Sequence, residues 1–172
     1  MLMPKVRRQR GVTLIELMVT LTVMAMLLFA VAPGMSSMIT NARLRSAAES
    51  MQVGIQKARM EAMRRNVTMT FTLVNNNSSS CAASATGRAW VVSQDDPAGK
   101  CAVAISTSTD PRIADKRAND AENENLTISG IASGAAAASS LTLDGLGRVS
   151  GGSWRRINLS SSAADARALR IE

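Results

Sequence analysis

The 172-residue chain contains no histidine and no tyrosine, and only two phenylalanines, two tryptophans, two cysteines and four prolines. Without histidine, the commonest general base and the commonest nitrogen ligand for zinc are both missing, so imidazole-based catalysis and Cys/His zinc sites are excluded. Two cysteines alone fall short of the three or four ligands that zinc takes from a protein. No GxSxG elbow, Walker loop or GxGxxG turn between strand and helix occurs, and Gly145-Leu146-Gly147-Arg148 reads as a turn after a strand. Asp95-Asp96 and the acidic stretch 110–124 lack EF-hand spacing and read as solvated charge, the whole stretch 107–125 as a polar loop. The chain is expected to be no enzyme and to need neither cofactor nor metal.

Charge is also locally scarce: no ionisable side chain occurs from residue 17 to residue 42. A helix needs about 20 apolar residues to cross the hydrocarbon core, and residues 17–38 supply that length, with Thr20, Thr22, Ser36 and Ser37 as the only polar side chains. Lys5, Arg7, Arg8 and Arg10 precede the run, so the positive-inside bias leaves the N-terminus in the cytoplasm and exports the rest. A secretory signal has a shorter apolar core of about 7–15 residues. A generic signal anchor explains the length and the flanking charge, but not the lone carboxylate Glu16 at the edge of the run, which is costly in hydrocarbon unless paired.

The stretch Arg8-Gln9-Arg10-Gly11 followed by Val12-Thr13-Leu14-Ile15-Glu16-Leu17-Met18-Val19 closely resembles the class III signal of type IV prepilins and type II secretion pseudopilins. The resemblance implies cleavage by prepilin peptidase after Gly11 and methylation of the new N-terminus, Val12. The family most often has phenylalanine there, so Val12 is a departure. Glu16 becomes the fifth mature residue, and its implied role is assembly: the terminal ammonium of one subunit sits beside the carboxylate of another in an apolar bundle. Pro33 falls where many type IV pilins carry a proline and, with Gly34, would kink the helix; a bend without further role explains it as well.

Beyond the apolar run, Leu44, Ala48, Met51, Ile55, Ala58 and Ala62 recur at spacings of four and three, a stripe along one helical face. Arg43, Arg45, Gln52, Lys57, Arg59 and Arg64 lie opposite. One helix over residues 12–65 would be about 80 Å long at 1.5 Å per residue, with the stripe as its core face against a sheet. The segment 56–66 resembles the ARxEAxxRN run that closes the helix in the GspH/FimT group of minor pilins and pseudopilins, matching at Arg59, Glu61, Ala62, Arg65 and Asn66. After Asn66 the period becomes that of strands. Residues 67–74 alternate apolar residues with threonine, and further strands are expected at 88–93, 102–106, 126–129, 141–143, 155–159 and 168–171. The fold class expected is α+β, a pilin fold in which the long N-terminal helix packs on a small antiparallel sheet. The expected domains are the leader 1–11, the helix 12–65 with its transmembrane part 12–38, and a periplasmic or extracellular head 66–172.

Removing Lys5, Arg7, Arg8 and Arg10 with the leader leaves 16 basic and 13 acidic residues, a net charge of +3 instead of +7. Arg148, Arg155 and Arg156 contribute to a C-terminal basic patch of the kind that binds phosphate electrostatically. Some minor pilins of the FimT branch bind DNA through a glycine followed by two arginines one residue apart. Here Ser150 stands where the second arginine should be, so solvated arginines are the favoured reading and DNA the lesser one. Trp90 and Trp154 are expected inside the head. The resemblance implies a pilin-like structural subunit in the inner membrane and its filament, with other pilins or pseudopilins as partners. It leaves type IV pilus assembly and type II secretion both open, tilting to the pilus.

A head exported to an oxidising compartment favours a disulfide between Cys81 and Cys101, closing a loop worth about 3 kcal/mol. Both are expected to resist alkylation until the protein is reduced. Two free thiols in protein recovered from the periplasmic side would overturn this.

Overall fold

The computed structural model describes residues 11–118, 126–132, 137–151, 154–161 and 168–171. The chain divides into two units, residues 1–38 and residues 39–172. One helix, α1 (Leu14–Arg65), begins in the first and ends in the second.

In the first unit α1 presents apolar side chains all round, from Leu14 at 77% exposure to Phe29 at 83%. Its two threonines do not interrupt this surface electrically: Thr20 and Thr22 donate their hydroxyls to the carbonyls of Leu17 and Val19 at 2.9 and 2.8 Å. Among the described residues no helix is long and apolar enough to cross a membrane. The side chains of residues 31–34 and 36, Pro33 with its expected kink included, lie outside the described residues, as does the leader 1–10.

In the second unit the stripe on α1 faces two antiparallel sheets. The first has the strand order β3-β2-β1-β5-β6, formed by β1 (Met69–Val74), β2 (Ala89–Ser93), β3 (Ile113–Arg117), β5 (Ser140–Leu143) and β6 (Val149–Gly151). The second has the order β4-β7-β8, with β4 (Leu126–Ala132), β7 (Trp154–Ser161) and β8 (Leu169–Ile171). Leu44, Met51, Ala58 and Ala62 of α1 share one core with Met69, Phe71 and Leu73 of β1, Trp90 and Val92 of β2, and Leu126, Ile128, Ile157 and Leu159 of the second sheet. The period of two decides which residues enter it: in β1 the alternate Thr70 turns outward, where its hydroxyl bonds that of Thr142 across the strand pair at 3.2 Å.

The helix approaches the first sheet closely at Gly54. A Cβ there would lie 2.6 Å from Phe71 Cε2 and 3.1 Å from the Trp90 ring. Those two rings stack at 5.5 Å between centroids, and Trp90 Nε1 donates to Ser50 Oγ one turn before Gly54 at 3.0 Å.

On its other face, β2 is covered by loops instead of a helix, so all five of its residues are buried. Val74, Ala89, Val91 and Ile113 form a second small core with the disulfide Cys81–Cys101. The disulfide joins the loop before β2 to the loop after it, and Gly99 N–H adds a bond to the Cys81 carbonyl at 2.9 Å.

Two sequence expectations fail here. Residues 102–106 form turns, not a strand, because the disulfide draws Cys101 inward while Lys116 Nζ donates to the carbonyls of Cys101 and Val103, each at 2.8 Å. Within the expected polar loop 107–125, Ile113–Arg117 is instead the edge strand β3. Its charges are tied down: Asp115 Oδ2 pairs with Lys57 of α1 at 2.5 Å, and Asp115 Oδ1 accepts from Lys116 N–H at 2.9 Å. The short strand β6 was also not expected, since Val149-Ser150-Gly151 carries one exposed apolar side chain. Trp90 is buried; the side chain of Trp154 lies outside the described residues.

Gly54→Ala is expected to lower the thermal midpoint of the detergent-solubilised full chain. Alanine favours the helix by about 1 kcal/mol, but overpacking a filled core costs about 1–3 kcal/mol. An unchanged or higher midpoint would show that Phe71 and Trp90 can yield.

Candidate functional site

The residues singled out for processing and assembly sit where α1 begins. Gly11 and Val12 precede the helix; a Cβ on Gly11 would meet nothing within 4 Å, and Val12 is 70% exposed. Glu16 stands in the first turn, where the helix dipole favours an anion. Among the described residues no basic group pairs with its carboxylate. Thr13, just before the helix, accepts the Glu16 N–H on its Oγ1 at 3.3 Å. Thr13 was missed as a site residue, although the spacing Thr13-Leu14-Ile15-Glu16 is the capping-box signature.

The run at the other end of α1 has a structural job. Arg59 Nε donates to the Gly147 carbonyl at 2.9 Å, fastening the β5–β6 turn to the helix. That turn approaches so closely that a Cβ on Gly147 would stand 3.0 Å from Arg59 Cγ and Met63 Sδ, and one on Gly145 2.5 Å from Asn66 Oδ1. Asn66 ends the helix at a φ of 53°, one of the few side chains that adopt this left-handed conformation readily, and Val67 N–H bonds back to the Ala62 carbonyl at 3.2 Å. Glu61 lies between Arg64, 2.7 Å away, and Arg65, 2.6 Å away; the hydrogen bond from Arg64 leads in holding its carboxyl below the usual range.

Of the arginines considered for nucleic acid, Arg148 lies in that same turn. Its N–H and that of Leu146 donate to Asp144 Oδ1 at 2.8 and 3.0 Å, and these bonds, the one from Arg148 foremost, lower the Asp144 pKa. The Arg148 guanidinium is 3.5 Å from Asp144 Oδ2 and otherwise open. Arg156 is half-buried on β7, in the other sheet, opposite Ile131. The side chain of Arg155 lies outside the described residues.

A cleft of about 380 Å³ lies between α1 and β3, over Trp90, with Glu49, Lys57, Asp115, Lys116 and Arg117 on its walls. Its mixed charges include the Lys57–Asp115 pair and the Lys116 bonds already described. Among the described residues, no group of three or more cysteine, aspartate or glutamate side chains gathers in a way that could hold a metal ion.

The family model of the prokaryotic N-terminal methylation motif matches residues 6–32, and that of type II transport protein GspH matches residues 47–172. No curated protein and no solved structure matches the chain. The first match covers the start of α1 with Gly11, Val12 and Glu16; the second covers α1 from residue 47 onward, with the core stripe except Leu44, and the two sheets beyond it. This protein therefore belongs to the GspH family of pilin-like structural subunits, with a prepilin-type N-terminal motif ahead of the GspH region.

Proposed function

We propose that this protein is a minor pilin of type IV pilus assembly, anchored in the inner membrane by the apolar half of α1, with its N-terminus cytoplasmic and its head periplasmic. Prepilin peptidase cleaves it after Gly11 and Val12 is methylated. The observation that carries the reading is the first part of α1: from Leu14 to Phe29 it is apolar all round, and its one carboxylate there, Glu16, lacks a basic partner among the described residues. In an apolar bundle an unpaired carboxylate costs several kcal/mol. The terminal ammonium of a neighbouring subunit removes that cost, so Glu16 draws subunits into register, while residues 14–28 pack among the neighbours' helices and the head meets other pilins.

The run Arg59 to Asn66, with its FimT-like pattern, supports the pilus among the machines that use such subunits. The match to type II transport protein GspH favours a second reading, a pseudopilin of type II secretion. The yield of surface filaments sheared from a strain lacking the gene, measured beside secretion of a type II substrate, separates the two. Loss of filaments restored by the intact gene is expected, with secretion unchanged. Unchanged filaments with lost secretion would replace the pilus by the pseudopilus. Glu16→Ala is expected to be inserted and cleaved normally yet to be absent from filaments, and sheared filaments containing it at the normal level would overturn its assembly role.

A further inference from the structure

The start of α1 also bears on which subunit Glu16 can pair with. Residues 11–13 lie outside the helix. Leu17 N–H donates to the Thr13 carbonyl at 3.2 Å, the first helical hydrogen bond, and Glu16 N–H donates to Thr13 Oγ1 at 3.3 Å. Thr13 is therefore the N-cap and Glu16 the third helical residue, the spacing of a capping box, of which the bond to the Thr13 hydroxyl is the half observed. Val12 and Leu17 occupy the two apolar positions that flank such a cap and set the angle at which the chain enters the helix.

A capped entry keeps Val12 off the helix. An N-cap residue has extended backbone angles. In a chain that began at Val12, the terminal ammonium would therefore stand up to about 7 Å beyond the Leu14 nitrogen, along the line of entry. If the helix continued to Val12, that residue and Glu16 would be four apart, on one face, at the spacing of an ion pair within a single chain.

We infer that Thr13 is a positioning residue, which holds the N-terminal ammonium of the processed chain away from its own Glu16 and leaves that carboxylate for a neighbour's ammonium. The inference rests on the processing and assembly reading above. The surroundings give the hydroxyl its weight. Leu14, Ile15, Leu17 and Met18 are 55–77% exposed. Where lipid or other helices cover them, no water is left to satisfy the unpaired N–H groups of the first turn.

The test uses the full chain in a strain lacking the gene. Leader cleavage is read by electrophoretic mobility, and subunit content is read by immunoblot of sheared filaments. Thr13→Val, of the same shape but without an acceptor, is expected to be cleaved normally and to enter filaments about five-fold less or worse, the factor that one lost cap is worth in an equilibrium constant. Thr13→Ser and Thr13→Asn, which can both cap, are expected to restore entry. Thr13→Val combined with Glu16→Ala is expected to be no worse than Glu16→Ala alone. Normal entry of Thr13→Val while Glu16→Ala is excluded overturns this inference and leaves the assembly reading standing. Loss of cleavage in Thr13→Val overturns it too, by assigning Thr13 to peptidase recognition. Normal entry of Glu16→Ala overturns the assembly reading itself.

Discussion

The close approach of α1 to the first sheet at Gly54 is the contact on which the head is built. The chain has four aromatic side chains in all, and two of them, Phe71 and Trp90, meet at this one point. Because the helix presents hydrogen instead of a side chain there, the rings can pack against its backbone, and Ser50 can take up the Trp90 N–H that burial would otherwise leave unsatisfied. From there the core extends along Leu44, Met51, Ala58 and Ala62, and the second sheet adds Ile128, Ile157 and Leu159 to it. Small residues on the helix thus compensate for few large ones in the sheet, since what matters is that the space between them is filled.

Away from the helix the fold relies on polar and covalent ties. The second core is small, and the loops that cover it are held by the disulfide, by Lys116 on two loop carbonyls and by the Arg112–Asp95 ion pair. The hydrogen bond from Arg112 is the leading cause that lowers the Asp95 pKa, as the Arg64 bond does for Glu61 and the backbone bond from Arg148 for Asp144. A carboxylate with a depressed folded-state pKa contributes stability above its unfolded value and loses it as pH falls through the folded one. All three groups act in that direction, so acid loosens the loops and the helix end together. Both ends of α1 are closed by side chains with special geometry, Thr13 at the start and Asn66 at the finish. The finish is also locked by the β5–β6 turn, which gives the run Arg59 to Asn66 a role in folding whatever surface it presents to partners.

Most of the fold was legible in the sequence because its main elements obey a single period. The stripe from Leu44 to Ala62 and the alternation after Asn66 carry their own burial pattern, and β1, β2, β4, β5, β7 and β8 appear within a few residues of the expected places. What stayed hidden lacks such a period. In β3, Asp115, Lys116 and Arg117 look like solvated loop until Lys57 arrives to pair with Asp115 and the disulfide loop to accept from Lys116. The misplaced strand at 102–106 has the right composition, but Cys101 is held by a partner 20 residues away. Division of the strands between two sheets also leaves no local trace.

At the candidate site the balance is different. The resemblance to a prepilin signal is carried by neighbouring residues from Gly11 to Glu16, so the sequence alone pointed to the class of protein, and the family matches agree on that class. The capping role of Thr13 has a local signature in its spacing to Glu16, but the hydrogen bonds of the first turn decide it, because a hydroxyl beside a helix can cap it or merely face solvent. Likewise the sequence by itself determined the helix, its apolar half, its core stripe and most of the strands, since each follows from side chains a few residues apart. Tertiary structure alone decided the two-sheet head, the edge strand β3 and the docking of the Gly145–Gly147 turn on Arg59, Met63 and Asn66. Those features depend on groups distant in the chain, and no local period can encode a partner that folding has yet to bring near.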